Sequence, residues 1–392
     1  MRNRRARALT KIRQAEPVDL LIWDIAGEDI IRAAIGQHIR IASVDVVTSR
    51  YFSLRHLPLA LCFIVNALLF RRDEGARFLQ TQCGSARGLL RVVGQCLNVS
   101  AVLAFRPRMV ISYTDDSITT QRIDAVLCQY LHVITLQNGR RWHSACLLSY
   151  PEYRISYIPP GFHSCFAALS QQEIDHHREA GWVIKEAHDV GSLNAALSFD
   201  SHDQYEIKFD ICIIENSPAG VDRESNRQMA SLINNYVRDK KLKVCVALKR
   251  NEKNQNFPEY YRAVRAMYDE SIELLPRSDR GSSISVTMSS RLTIGILTTL
   301  LIETFGLGNR IYPLNFEHET FDIGYSCLGL EMRPNQQQFD SIVDHLLAMS
   351  DNEYIVRYKD QMAYIGALSK EKRPLERLRL LVEEKLEAFQ NV

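Results

Sequence analysis

Acidic residues are absent from the first fifteen positions of this chain, and the gap is local. Over all 392 residues, 48 Lys and Arg face 46 Asp and Glu, a net charge of +2. No global attraction to nucleic acid follows from that balance, and none is expected as a partner. Cysteine is scattered rather than patterned: nine residues, no Cys-x-x-Cys pair and no tight histidine cluster. This argues against a disulfide framework and supplies no metal ligand set, so reduced thiols in a cytoplasm are expected, with no bound metal and no cofactor. His176, His177 and His202 stand in polar stretches and are expected on the surface. No apolar run is long enough to span a bilayer; the longest, 57–70, contains Pro58 and Asn66 and predicts a buried amphipathic helix. The basic start (Arg2, Arg4, Arg5, Arg7, Lys11, Arg13) is followed by no apolar segment, so it is not a secretory signal. It reads either as a solvated terminus or as an arm on anionic lipid at the inner face of the cytoplasmic membrane. In the second case each basic side chain adds about 1 kcal/mol.

What is present is alternation. Strands are expected at 18–23, 41–47, 109–113 and 132–136, with helical patterns between them. After a passage broken by Pro151, Pro159 and Pro160, strands return at 209–214, 242–247, 292–297 and 311–314, with a helix at 260–273. Such alternation means an α/β fold with parallel sheets covered by helices. The expected division is a Rossmann-like domain at 1–150, a linker at 151–205, a second Rossmann-like domain at 206–350 and charged helices at 351–392. Ligands of such sheets lie beyond the carboxyl ends of the strands. Asp24, Asp115, Asp116, Gln137 and Asn138 all stand at those ends, and Glu28 follows closely.

Residues 291–315 form the most informative unit. Leu292 to Leu297 is a buried strand, Thr298 and Thr299 are helix-capping residues, Gly306 and Gly308 stop the helix, and Ile311 resumes a strand. Hydroxyls and free N–H groups at a helix mouth suit an anion, and Glu303, one turn in, is placed to accept from a sugar hydroxyl. A nucleotide-sugar site can be built this way; an ordinary capped helix reads the same.

Taken together, Tyr113-Thr-Asp-Asp-Ser117, Leu136-Gln-Asn-Gly139, Val190-Gly-Ser192, Val244-Cys-Val-Ala-Leu-Lys-Arg250, Ile294-Gly-Ile-Leu-Thr-Thr-Leu-Leu-Ile-Glu-Thr-Phe-Gly-Leu-Gly308 and the stretch from Phe339 to Tyr354 resemble a known family. It is the GT-B glycosyltransferases of bacterial surface-carbohydrate (lipopolysaccharide and capsule) biosynthesis. The resemblance implies two Rossmann-like domains facing a cleft and metal-independent sugar transfer from a nucleotide-sugar donor to a glycan or lipid-linked glycan acceptor. The donor is open between a CMP-linked acidic sugar such as Kdo and a nucleoside-diphosphate hexose. Lys249 and Arg250 would meet the charge developing on the leaving phosphate, with Thr298, Thr299, Asn216 and Ser217 adding donors and Glu303 taking the ribose. Asp115 or Asp116 would deprotonate the acceptor or act as nucleophile, with Asp24 a further option. Gln137, Asn138 and Glu28 would hold the acceptor. Each also has a plainer role as a turn or cap residue. Arg140-Arg141 has no counterpart in the family pattern. Two alternatives stay open: a nucleotide-sugar 2-epimerase of the same layout, and a non-catalytic nucleotide- or glycan-binding scaffold.

Overall fold

The computed structural model describes residues 17–23, 27–44, 57–96, 99–113, 118–137, 161–199, 205–214, 223–278, 281–296, 298–316, 325–366 and 373–388. Two wholly parallel sheets organise them. The first contains β1 (Leu20–Ile22), β2 (Ile41–Ser43), β3 (Met109–Ser112), β4 (His132–Leu136), β5 (Phe162–Ala168) and β6 (Val183–Asp189) in the order β2-β1-β3-β4-β5-β6. The second contains β7 (Phe209–Ile214), β8 (Val244–Ala247), β9 (Glu273–Leu275), β10 (Ser290–Ile296) and β11 (Ile311–Leu314) in the order β11-β10-β7-β8-β9. The central strands are apolar on successive positions because both of their faces are covered. Leu21, Val110 and Val133 enter one core; Leu20, Ile22, Ile111 and Ile134 enter the core on the other face of the same sheet.

The stretch expected to link the halves belongs to the first sheet. Its prolines lie outside the described residues, but from residue 161 the chain forms β5, the helix Gln171–Glu179, β6 and the helix Leu193–Phe199. The strand signal at β6 was masked by Lys185, Glu186, His188 and Asp189. These polar residues are tolerated because β6 is the sheet's edge and pairs only with β5. The expected helix at 260–273 is also shorter. It runs Phe257–Arg265, and the Arg265 guanidinium then donates to the carbonyls of Tyr268 and Ile272, 2.8 Å each, so that β9 can begin.

The C-terminal helices do not form one block. Asp351–Gly366 packs on the helix Thr299–Gly306 of the second domain and on Gln171–Glu179 of the first, where Tyr364 donates to Asp175 at 3.0 Å. Pro374–Ala388 returns to the first domain and contributes Leu378, Leu381 and Val382 to its core. Arg377 donates to the Asp189 carbonyl (2.7 Å), Arg108 to the Leu386 carbonyl (2.6 Å) and Lys385 to Glu186 (2.5 Å).

Inside the first domain Asp124 is fully buried and accepts from the Ser164 N–H at 2.8 Å and from its hydroxyl. Burial pushes its pKa up to about 7 despite these bonds and the Lys185 charge. An unfolded Asp titrates near 3.9, so the folded state holds the extra proton between the two values. The resulting stability is full below about pH 4 and is lost as pH rises through 7, by up to about 1.4 kcal/mol per pH unit. Asp124→Asn should flatten this slope. Urea midpoints at pH 5 and pH 8 are expected to fall between those values in the wild type and to change less in the variant.

Candidate functional site

In each sheet the chain reverses its direction of travel at one point, between β1 and β3 in the first and between β7 and β10 in the second. Crevices at such switch points, beyond the carboxyl ends of the strands, are where open α/β sheets bind ligands. A cavity of about 340 Å³ lies at the second one. Ile214 closes it from β7, Leu248 and Lys249 from the end of β8, Arg277 from beyond β9, and Thr298 and Glu303 from the helix after β10. Asn194 reaches it from the first domain.

The helix mouth is built as its sequence indicates. Thr298 is extended (φ −120°, ψ 140°) and its hydroxyl accepts from the Leu300 N–H at 3.4 Å. Thr299 opens the helix, and Gly308, at φ +89°, ends the turn that follows it. Glu303, half-buried one turn in, accepts a 2.7 Å hydrogen bond from the Ser192 hydroxyl, whose oxygen in turn accepts from the Ala195 N–H. This bond joins the two domains across the cleft. Beside it, Asn194 donates to the Tyr113 hydroxyl at 2.9 Å, while its own carbonyl oxygen is buried without a hydrogen-bond partner among the described residues. Tyr113 packs against Gly27, where a Cβ would meet the tyrosine ring at 2.5 Å. The start of the first helix is therefore tied to the cleft.

The basic pair at the end of β8 is split. Lys249 faces the cavity, and its N–H donates to the Tyr260 hydroxyl at 2.9 Å. Arg250 turns the other way and lies 4.9 Å from the centre of the Tyr260 ring, lining a groove between the helices Arg223–Val237 and Phe257–Arg265. Neighbouring side chains on an extended segment diverge, and that alone separates them. Arg277 stands where the sequence reading had placed Arg250. Arg277 carries no sequence signal of its own, because β9, the strand that brings it there, is only three residues long.

In the first domain Glu28 is engaged locally. Partial burial pushes its carboxyl pKa up, but hydrogen bonds from Ser43 and Arg32, 2.7 Å each, outweigh this and hold it below the usual range. Gln137 is buried and ties the end of β4 to the next helix, accepting from the Leu169 N–H (3.0 Å) and donating to Glu173 (2.7 Å). His177, expected on the surface, is buried against Trp182 and Phe166 with Nδ1 on the Glu173 carbonyl at 2.7 Å. Asp24, Asp115, Asp116, Asn138, Arg140, Arg141, Asn216, Ser217 and the Arg2 to Arg13 arm lie outside the described residues. The strands that precede Asp24 and Asp115, β1 and β3, are neighbours and end side by side. Asn194 and Arg277 are cavity-side residues that sequence reasoning missed, and Ser192 appears there only within the Val190-Gly-Ser192 motif, with no role.

One metal-ligand cluster occurs among the described residues: Cys165, Glu186 and His188, with ligand atoms within 4.8 Å of one another. It sits under the helix Pro374–Ala388, away from the cavity. Burial pushes the Cys165 thiol pKa up, so it is held as the thiol, and the Lys385 ammonium already bonds Glu186.

Two parallel-sheet α/β domains with the cavity at the strand ends between them define a GT-B fold. Solved structures similar to the whole chain agree. S. aureus MnaA in a structure with UDP is 11% identical, with 96% of this chain and 97% of that chain covered and a TM-score of 0.52. A UDP-N-acetylglucosamine 2-epimerase from Listeria monocytogenes is 12% identical, with 95% and 98% covered and a TM-score of 0.54. UDP-GlcNAc 2-epimerase from Neisseria meningitidis, bound to UDP-GlcNAc, is 10% identical, with 94% and 99% covered and a TM-score of 0.50. No protein-family model matches the sequence, and no curated protein matches it. At these identities the likeness is one of fold.

Proposed function

We propose that this protein is an enzyme acting on a nucleotide sugar, with the nucleotide bound in the second-domain cavity and the sugar directed toward the first domain. The observation that carries this is the convergence of Lys249, Arg277, the Thr298 helix mouth and Glu303 on one cavity at a switch point. Lys249, Arg277 and the helix N–H groups supply the positive charge that a diphosphate or monophosphate needs. Glu303 takes a ribose hydroxyl, in the place where the Ser192 hydroxyl now bonds.

The reaction we favour is glycosyl transfer. An acceptor oxygen attacks the anomeric carbon, the bond from that carbon to the phosphate oxygen breaks, and its electron pair leaves with the nucleotide. The acceptor proton goes to a carboxylate, for which Asp115, Asp116 and Asp24 are the candidates from the first domain. A surface glycan or its lipid-linked precursor as acceptor, a cytoplasmic location and a lipid contact through Arg2 to Arg13 belong to the same reading. A second reading, 2-epimerisation, is favoured by the fold neighbours: the Neisseria and Methanocaldococcus proteins are described as UDP-GlcNAc 2-epimerases.

A thermal-shift screen of UDP-, GDP-, dTDP- and CMP-sugars tests the proposal, and at least one should raise the melting temperature. With the sugar that does, NMR of the products separates the readings. Free nucleotide with a glycosylated or hydrolysed sugar supports transfer, whereas a 2-epimer supports epimerisation. A chain that binds but converts nothing is a scaffold. Glu303→Gln should weaken nucleotide-sugar binding by roughly 10- to 100-fold, as loss of a hydrogen bond to a charged group predicts. An unchanged Kd by calorimetry would remove Glu303 from the site.

A further inference from the structure

The helix Leu57–Leu69 is apolar on every side, with Asn66 as its one amide, and yet only Ala60, Ile64 and Ala67 are buried. A helix of this kind belongs in a core or in lipid, not in water. Here a narrow stripe holds it to the domain. Phe63 stacks on Tyr130 at 4.3 Å and Asn66 donates to the Tyr130 hydroxyl at 2.8 Å, which ties down the remaining polar group. Leu57 and Leu68 are half-buried, and the opposite side faces outward. Leu61, Val65 and Leu69 follow one another at successive turns, Leu69 is 71% exposed and Phe70 73%. On the adjoining helix Ala86–Cys96, Leu90 is 72% exposed. No other such group occurs among the described residues, and contiguous exposed apolar surface marks an interaction site.

The charge around this face is one-sided. Among the described residues from 57 to 96, the exposed charged side chains are Arg72, Arg77 and Arg87 against Glu74 alone, in a chain whose net charge is only +2. Asp73 is already bonded to Arg71 at 2.7 Å. Arg72 lies two positions after Phe70, and Arg87 stands one turn before Leu90 on the helix Ala86–Cys96. A second copy of the chain seated here would set this arginine excess against itself. An anionic bilayer answers both features, since head-group phosphates meet the guanidinium groups and the acyl boundary takes the leucines and Phe70. At 13 residues, about 20 Å long, the helix is too short to span the hydrocarbon, so it would lie in the interface.

We propose that the face formed by helices Leu57–Leu69 and Ala86–Cys96 docks on an anionic lipid surface, with Leu69, Phe70 and Leu90 inserted and Arg72 and Arg87 on the head groups. Docking would bring the first domain, not the nucleotide cavity, to the membrane. It is independent of the arm at Arg2 to Arg13 and of the nucleotide-sugar reading.

Co-sedimentation of the full chain with vesicles tests it. Wild type should bind vesicles of mixed phosphatidylcholine and phosphatidylglycerol, bind phosphatidylcholine vesicles weakly, and lose binding as salt rises. L69Q/F70Q/L90Q and, separately, R72E/R87E should each reduce partitioning to the mixed vesicles at least about tenfold. Both should melt as the wild type does, because every changed side chain is on the surface. The proposal is overturned if wild type ignores the mixed vesicles, or if the apolar triple variant binds them as wild type does. It is also overturned if that variant converts a dimer to a monomer while vesicle binding stays unchanged.

Discussion

Lys249→Ala is expected to lower turnover by roughly 10²- to 10³-fold, the range seen when one preorganised group facing developing charge is removed. In the proposed reaction the sugar–phosphate bond of the donor would break with its electron pair on the phosphate, and negative charge would grow beside Lys249 as the transition state forms. An interaction that strengthens at that moment acts on kcat more than on KM. The neighbouring position provides the contrast. Arg250 lies on the far side of the strand end, over the Tyr260 ring, so Arg250→Ala should leave kcat within about twofold of wild type while modestly lowering stability through the lost ring contact. Steady-state kinetics on the two variants checks the assignment. Equal losses in both would mean that the β8 turn as a whole, and not Lys249, sets the rate.

Gly306→Ala is the second large expectation, and it concerns placement. A Cβ at Gly306 would sit 2.4 Å from the carbonyl oxygen of Gly366 and 3.0 Å from its Cα. Both partners are backbone, so no side chain can swing away, and the helices Thr299–Gly306 and Asp351–Gly366 must separate. Overpacking of this kind costs about 1–3 kcal/mol or more, and each kcal/mol lowers the melting temperature of a domain this size by roughly 2–4 °C. The displaced helix carries Thr298 at its mouth and Glu303 one turn in, so nucleotide affinity should fall with stability. Calorimetric melting and a nucleotide titration on the same sample read both effects. An unchanged melting temperature would show that the glycine contact carries no packing constraint.

How far the sequence was legible follows from what each pattern depends on. The unit at β10, its helix and β11 was readable to within about two residues, because a doubly buried strand, a threonine cap and a glycine stop are all local signals. The parallel two-sheet class followed from the alternation of such units. The extent of the first domain was hidden. β6 reads as polar because it is an edge, and nothing in residues 374–388 says that their leucines fill a core formed by the distant strands β1, β3, β4 and β5. In the site, Lys249, Thr298 and Glu303 were legible as strand-end and helix-start residues. Ser192, Asn194 and Arg277 were not, since their proximity to the cavity comes from the packing of one domain on the other and from a strand of only three residues.

The return of Pro374–Ala388 to the first domain has a consequence for how the protein is made. Leu378, Leu381, Val382 and Leu386 join the core that holds β1 and β3, from the early part of the chain. Until they leave the ribosome, that core is covered only in part, by the helices Glu28–Ala34 and Leu193–Phe199, whereas the second domain takes its own last helix from residues 351–366. The order of synthesis and the order of completion are thus reversed: the half begun first is sealed last. During translation part of its apolar face stays open to chaperones until Leu378 to Leu386 emerge.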